Sequence, residues 1–553
     1  MPDVFSDEEK KILEPYFTNL DKPVFAFTSR VPEEVVAVLF SKYSRSPHSI
    51  RKNFLDLVKD PESGFKNILD AVSGSSGSSG SEAFTAALAK ARDFFRRILI
   101  EYGDDSVGEL GTAHVACEDV SQIAAKRIES ARLASPLEKS TRYVVFDKGK
   151  YLRPAAIMGS KFASEYTAMC DELFETYSSE IEPTKAFVRD KWPIGQFDFS
   201  GKKINELTDD AELKRAKSAY ESSVKAKTLD ILRYYLPAAT FTNIGITANG
   251  RGFEYLASKL MSDELEEVRT IGQLMQLELS KVIPSLVKRA APSSYVVETR
   301  KSMHAFAAST LSGTKIKKQP TVTLVQYDKE AEITVVAAAL YEFSHHPLSQ
   351  LRKMAKKMTP EEKMKVIDEY MGKRSNRRER PLRAAETAYY QFDVLSDYGA
   401  YRDLQRHRMM TQIPQLLTVE HGYDTPPEIA EAGFAAQFDK CMKKAALVYR
   451  KIAAEMPNEA QYAAPLAYRI RYLMQFNLRE SYHLIELRST PQGHPSYRHI
   501  VQEMYRQIKT VHPTLVHYMK FVNLDELDAL GRLKSELRKE EKLDAIGKKE
   551  ISI

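Results

Sequence analysis

The stretch Tyr401-Arg402-Asp403-Leu404-Gln405-Arg406-His407-Arg408-Met409-Met410-Thr411 sets an imidazole between two guanidiniums at the end of a largely apolar segment. Such a cluster can hold phosphate or an anionic ring through charge-assisted, partly bidentate hydrogen bonds. It fits equally a solvated basic helix end that complements the helix dipole. The choice depends on whether the rest of the chain supplies partners for it.

The two halves of the chain echo each other. Tyr43-Ser44-Arg45-Ser46-Pro47-His48-Ser49 precedes Phe343-Ser344-His345-His346-Pro347-Leu348-Ser349 by 300 positions. Ala131-Arg132-Leu133-Ala134-Ser135 parallels His407-Arg408-Met409-Met410-Thr411 at an offset of 276, and Asn249-Gly250-Arg251 parallels Asn477-Leu478-Arg479 at 228. The order is kept and the offsets shrink steadily, as in a tandem duplication whose first copy carries the longer insertions. Two fused copies behave as a covalent dimer. Fusion lifts the identity of the two interface sites, so one can be kept while the other decays.

Size and composition set the outer limits. At 553 residues, with 81 Lys and Arg against 75 Asp and Glu, the chain has room for two to four domains and a net charge of only +6. That balance permits anionic small molecules and does not mark a nucleic-acid binder. Cys117, Cys170 and Cys441 form no CxxC pair, so neither a disulfide framework nor a thiolate metal site is expected. The acidic start, Asp3 to Glu9, is unlike a signal peptide. No apolar run approaches the roughly 20 residues that span a bilayer. The expectation is a reduced cytoplasmic compartment, with no membrane and no nucleic-acid partner.

Along the chain, Pro23–Phe27 reads as a short strand and Glu33–Leu57 as helix. Ser73–Ser81 is a Ser/Gly run that buries nothing, a flexible loop or linker. Helical patterning is predicted over Glu82–Tyr102, over Cys117–Arg132, and in long amphipathic segments to about Arg289. Ala290–Pro320 turns irregular. The predicted domains are therefore an N-terminal repeat, 1–300, a C-terminal repeat, 301–530, and a charged tail, 531–553. Pro320–Tyr327 alternates like a strand and Ala331–Phe343 like a helix, whereas Lys373–Arg380 reads as a basic loop. Further helices are expected at roughly 385–411, 427–455 and 480–520, and a peripheral one after Asn523.

These residues resemble the flavin-dependent thymidylate synthases. The family signature is Arg-His-Arg, two residues, a Ser, four residues, then Ser-x-Arg, usually followed by Tyr. The first half reads Ser130-Ala131-Arg132 where the triplet is expected, then keeps Ser140-Thr141-Arg142-Tyr143. In the second half Arg406-His407-Arg408 is intact, and Leu416 and Thr418 replace the later Ser and Arg. The family's arginine before a Leu-Pro pair is Arg233 in the first half and Gln461 in the second. Asn-x-Arg is kept in both, as Asn249/Arg251 and Asn477/Arg479. The arginine nine residues beyond is Arg488, where the first half offers Lys259-Leu260. Glu109 and Glu386 match a flavin-contacting Glu-His but are not followed by His, and Asp104 stands where an upstream His belongs.

The resemblance implies an α+β fold: two homologous, mostly helical domains, each with a small antiparallel sheet, forming a pseudo-dimer. It implies FAD-dependent methylation of dUMP to dTMP, with methylenetetrahydrofolate and reduced nicotinamide (NADPH) as co-substrates. In the family one protomer supplies the triplet and late arginine, and the other supplies the Ser-x-Arg loop and early arginine. The losses here sort along that division. The implied site is thus composite. Glu138, Ser140, Arg142, Arg233 and Arg406 bind substrate, and Arg488 polarises the uracil. Arg406, His407, Arg408, Asn249, Arg251, Asn477 and Arg479 hold the flavin; no metal is expected. Asn249 and Asn477 also suit helix capping. A non-catalytic flavin- or nucleotide-binding protein, or a flavoenzyme on another pyrimidine nucleotide, remains the alternative. Either a monomeric pseudo-dimer or a homodimer of four repeats would suit the duplication.

Overall fold

The computed structural model describes residues 4–44, 46–60, 108–526 and 530–550. The Ser/Gly run at 73–81, the helix expected over Glu82–Tyr102, and Asp104 lie outside the described residues. The chain is α+β, mostly helical, with two small antiparallel sheets. It divides into two units. The smaller holds Met1–Glu118, Arg127–Glu138 and Asn243–Ser312; the larger holds Asp119–Lys126, Lys139–Thr242 and Gly313–Ile553.

The sheets carry a shared plan. The three-stranded sheet orders β1 (Thr112–Ser121), β3 (Phe241–Asn249) and β2 (Ala134–Glu138) as β1-β3-β2. The four-stranded sheet, β4 (Val322–Tyr327), β5 (Tyr389–Asp397), β6 (Thr411–Pro414) and β7 (Arg469–Asn477), is ordered β4-β5-β7-β6. Removing β4 leaves the same order. The register agrees residue for residue: Ser135 faces Thr247 as Thr411 faces Gln475, and Glu138 faces Ile244 as Pro414 faces Tyr472. Both comparisons carry offsets of 276 and 228, those read from the sequence.

Within the larger unit, matching segments of the two repeats bond reciprocally. Ala238 N–H donates to Ala464 O at 2.8 Å, and Leu466 N–H donates to Leu236 O at 2.9 Å. Ala239 N–H reaches Tyr462 O at 3.2 Å, and Ala467 N–H reaches Tyr234 O at 3.3 Å. Each bond is its partner shifted by 228. Such i-to-j and j-to-i exchange ties these two segments to each other, with a bridge between Pro237 and Pro465 at its centre.

Several expected elements are corrected. Cys117–Arg132 and 385–411 are not continuous helices: β1 passes into helix Gln122–Glu129, and β5 into helix Tyr398–Leu404. β3, within a stretch read as amphipathic helix, passes likewise into helix Gly250–Met261. Strand runs directly into helix at these junctions, with the cap residues Asn249 and Asp397 as the last residues of their strands, so no intervening loop marks the change of element. β5 itself alternates, with Tyr390, Phe392 and Val394 buried. Pro23–Phe27 contributes only an isolated bridge, Phe27 to Phe17. Ser294–Thr310, read as irregular, is a helix with no buried residue, started by the Ser293 hydroxyl accepting from Val296 N–H. The strand expected over Pro320–Tyr327 is Val322–Tyr327, the helix expected over Ala331–Phe343 is Ala331–Glu342, the peripheral helix after Asn523 is Leu533–Glu550, and the helical stretch expected over Glu33–Leu57 is two helices, Glu33–Tyr43 and Ile50–Lys59.

Candidate functional site

The larger unit contains Ser140, Arg142, Arg233, Arg406, His407, Arg408, Asn477, Arg479 and Arg488; Glu138, Asn249 and Arg251 belong to the smaller unit. In the larger unit the strand-to-helix junctions fix the side chains. Asp397 ends β5 and caps helix Tyr398–Leu404, its Oδ1 accepting from Ala400 N–H at 2.8 Å. That helix stops at Leu404, and the chain beyond it turns His407 inward while Arg406 and Arg408 stay exposed. Asn477 ends β7 and caps helix Leu478–Arg488, whose last residue is Arg488.

His407 is 4% exposed and engaged on both ring nitrogens. Arg488 Nε donates to its Nε2 at 2.9 Å, so the ring proton sits on Nδ1, which faces Glu480 Oε1 at 2.8 Å. Burial, and then the Arg488 charge, hold the imidazole down to about 4 against the pull of Glu480. Glu480 is itself 5% exposed. Burial raises its carboxyl, but hydrogen bonds from His407 and His483 outweigh that and bring it down to about 2. The consistent state is a neutral imidazole between an ionised carboxylate and a guanidinium. Arg488 meets a neutral acceptor here, and its charge acts on Asp403. His407, Glu480 and His483 have ligand-type atoms within 4.8 Å of one another. Their mutual hydrogen bonds, with a guanidinium on the far nitrogen of His407, account for the clustering.

The first repeat contributes two buried arginines. Arg142 lies in the turn after Ser140, whose hydroxyl accepts the Arg142 N–H at 3.2 Å. Its guanidinium makes a bidentate pair with Asp230, and its third nitrogen donates to Gln492 O at 3.3 Å. Arg233, 1% exposed, closes helix Asp210–Leu232 and donates to Asp403 Oδ2 at 3.3 Å. Its Nε and Nη2 have no hydrogen-bond partner. Gly399 makes room for it: a Cβ there would stand 3.0 Å from Nη2.

Asp403 is the focus. Burial would raise its carboxyl, yet Arg233, Arg406, Arg488 and Arg142, in that order, hold it below the usual carboxylate range. Two of these guanidiniums come from the first repeat and two from the second. Nearby Asp397 is fully buried; burial pushes it up to about 6, against the opposing charge of Arg233.

The remaining residues have quieter settings. Asn249 and Asn477 both cap helices, accepting at 2.8 Å from Gly252 N–H and Glu480 N–H. Arg251 pairs with Glu109 at 2.6 Å, and Arg479 reaches Glu386 at 3.5 Å and Pro381 O at 2.8 Å. Glu138 ends β2 and is buried. Cys170 and Cys441 are buried thiols pushed up by desolvation, and burial pushes Cys117 up to about 11. Sequence reasoning missed Asp230, Asp403 and Glu480. The signal was there in the shared spacing Asp230-x-x-Arg233 and Asp403-x-x-Arg406, and in Glu480 following the Asn-x-Arg.

The repeated α+β fold thus sets four arginines around one part-buried carboxylate, Asp403. Comparison gives the family. The family model "Thymidylate synthase complementing protein" matches residues 55–285 and 323–514, one segment in each repeat, and the chain belongs to that family. A Chlamydia muridarum UPF0159 protein is 41% identical over 549 residues, covering 97% of this chain and 98% of its own. A Thermoplasma acidophilum UPF0159 protein is 37% identical over 83% of this chain and 94% of its own. A Clostridium tetani flavin-dependent thymidylate synthase is 25% identical over 201 residues, covering 36% of this chain and 70% of its own.

Proposed function

We propose that the chain is a FAD-dependent thymidylate synthase that methylates dUMP to dTMP with methylenetetrahydrofolate and NADPH. It works through one composite site built from both halves of a pseudo-dimer. The observation that carries this reading is the convergence of Arg142 and Arg233 with Arg406 and Arg488 on Asp403. Four guanidiniums against Asp230 and Asp403, with Asp397 beside Arg233, leave a net positive charge suited to a nucleotide monophosphate.

In the mechanism the chain's residues hold, orient and polarise. Arg142 and Arg233, with Ser140, take the phosphate and ribose end, where planar donor forks match phosphate oxygens. Asp230 and Asp403 keep those arginines extended and charged before substrate arrives. Arg488 stabilises negative charge developing on the uracil ring. Glu480 fixes the His407 tautomer, and His407 aims Arg488; the two are positioning residues. The donor set also fits a flavin dinucleotide, since the exposed Arg406 and Arg408 suit a pyrophosphate. When bound, FAD supplies the hydride chemistry.

Among the described residues no helix is long and apolar enough to cross a membrane, and a cytoplasmic setting is part of the proposal. The second reading is a non-catalytic flavin- or nucleotide-binding role, since Arg479 and both asparagines, assigned by resemblance to the flavin, already have partners within the fold and leave fewer groups for catalysis. Rescue of a thymidine auxotroph separates the two. Rescue by the wild-type chain, abolished by Arg488→Ala, is the expected result; no rescue, in a chain that still binds flavin, supports the non-catalytic role.

A further inference from the structure

The family match ends at residue 514, yet the chain beyond it reaches the arginine cluster. Helix Leu533–Glu550 packs along helix Asp210–Leu232, with Arg215 paired to Asp544 and Ser218 donating to Glu540 at 3.1 Å. Just before it, Gly531 passes so close to the loop after Arg488 that a Cβ there would stand 2.1 Å from Pro491 O. Only glycine allows that approach. Arg532 is thereby brought to a cleft that it shares with Arg142, Lys227, Asp230, Gln492 and Arg498.

The cations of this cleft are held in different ways. Arg142 is matched by Asp230, and Lys227 by Glu428. Arg498 donates to neutral oxygens, Ser489 O at 3.0 Å and Asn523 Oδ1 at 2.7 Å. Arg532 donates to the Tyr143 hydroxyl, stacks 4.5 Å from that ring, and leaves Nε with no hydrogen-bond partner. Burial, and next the like charge of Arg142, push its guanidinium down to about 9; Glu536, which pulls the other way, is itself paired with Lys539 at 3.3 Å. A half-buried arginine beside a second one, with an unused N–H, is a site waiting for an anion.

We propose that Arg532, from the segment beyond the family match, is a phosphate-binding residue that joins Arg142 around the phosphate monoester of the nucleotide substrate. The identity of that ligand rests on the thymidylate synthase reading; the anion subsite does not. Its neighbour Tyr143, which follows the Ser140-Thr141-Arg142 turn, holds the guanidinium in place through its ring and hydroxyl.

Calorimetric titration of the full chain with dUMP, deoxyuridine and inorganic phosphate tests this, using wild type, Arg532→Gln and Arg532→Lys. Arg532→Gln is expected to weaken dUMP and phosphate by roughly tenfold, to leave deoxyuridine unchanged, and to be partly restored by lysine. Wild-type affinity for dUMP and phosphate in Arg532→Gln overturns the inference and leaves the enzyme reading standing. Equal weakening of deoxyuridine assigns Arg532 to folding and overturns it too. Phosphate bound through Arg532 by a wild-type chain that ignores dUMP keeps the subsite and removes the nucleotide reading. Wild type binding neither ligand removes both.

Discussion

The two repeats carry different charged residues at matching positions. Where the second repeat has His407, Glu480, His483 and Arg488, the first has Ala131, Gly252, Tyr255 and Leu260. Where the first has Arg142, Asp230 and Arg233, the second has Thr418, Asn458 and Gln461. The scaffold did not change with them: strand register and the asparagine caps are the same in both. Gln461 even fills its position quietly, accepting from Leu417 N–H at 3.1 Å and donating to Asn458 O at 3.0 Å. Backbone geometry is thus held by folding, whereas charged clusters persist only where something uses them. A buried charge costs several kcal/mol to desolvate, so an unused one is readily lost.

That contrast can be broken most severely at Asp230. Asp230→Ala strands the buried Arg142 guanidinium and is expected to cost about 3 to 5 kcal/mol. Its counterpart Asn458 makes no side-chain cap bond, so Asn458→Ala should stay within about 0.5 kcal/mol. Urea denaturation measures both, and equal losses would dissolve the asymmetry. Next comes Arg488→Ala. It should lower kcat/KM for dUMP by about 10²- to 10³-fold, the scale of removing one preorganised donor. By contrast Tyr255→Ala, at the exposed place that matches His483, should change neither rate nor flavin content, with about one flavin per chain.

Much of this was legible before the fold was known, and the gaps have physical causes. The collinear offsets found the repeats because insertions shift a motif without altering it. Arg142, Arg233 and Arg488 were singled out by the family resemblance, through the residues that surround them in its motifs. Asp230, Asp403 and Glu480 escaped because a carboxylate that holds an arginine looks, in sequence, like any helix-surface acid. The junctions β1, β3 and β5 escaped for a different reason. There strand meets helix without a turn, and the buried residues run continuously from one period into the other.

The His407 cluster adds a pH dependence that the first repeat lacks. The folded value near 4 lies below the roughly 6.5 of an unfolded histidine. Between those pH values the unfolded chain takes up a proton that the folded one refuses. The contribution is therefore complete above pH 6.5 and lost as pH falls through 4. His407→Asn should remove roughly 2 kcal/mol of that slope in urea midpoints taken at pH 7, 5.5 and 4.5. Glu480, held near 2, extends the loss below pH 4.5. Parallel curves for wild type and His407→Asn would mean that the imidazole is not buried neutral.

The smallest effect probes what the repeats share. Asn249 and Asn477 each satisfy one backbone N–H at the start of a helix, with the same bond length. Asn249→Ala and Asn477→Ala should each cost about 1 kcal/mol. Only the second should also lower turnover, because helix Leu478–Arg488 carries Glu480 at its start and Arg488 at its end. A frayed first turn would loosen Glu480, free the His407 tautomer and let Arg488 swing. The comparison becomes sharper if stability falls equally in both variants while kcat falls only in Asn477→Ala. It fails if Asn249→Ala slows the enzyme as much, since the degenerate repeat would then be taking part in the chemistry.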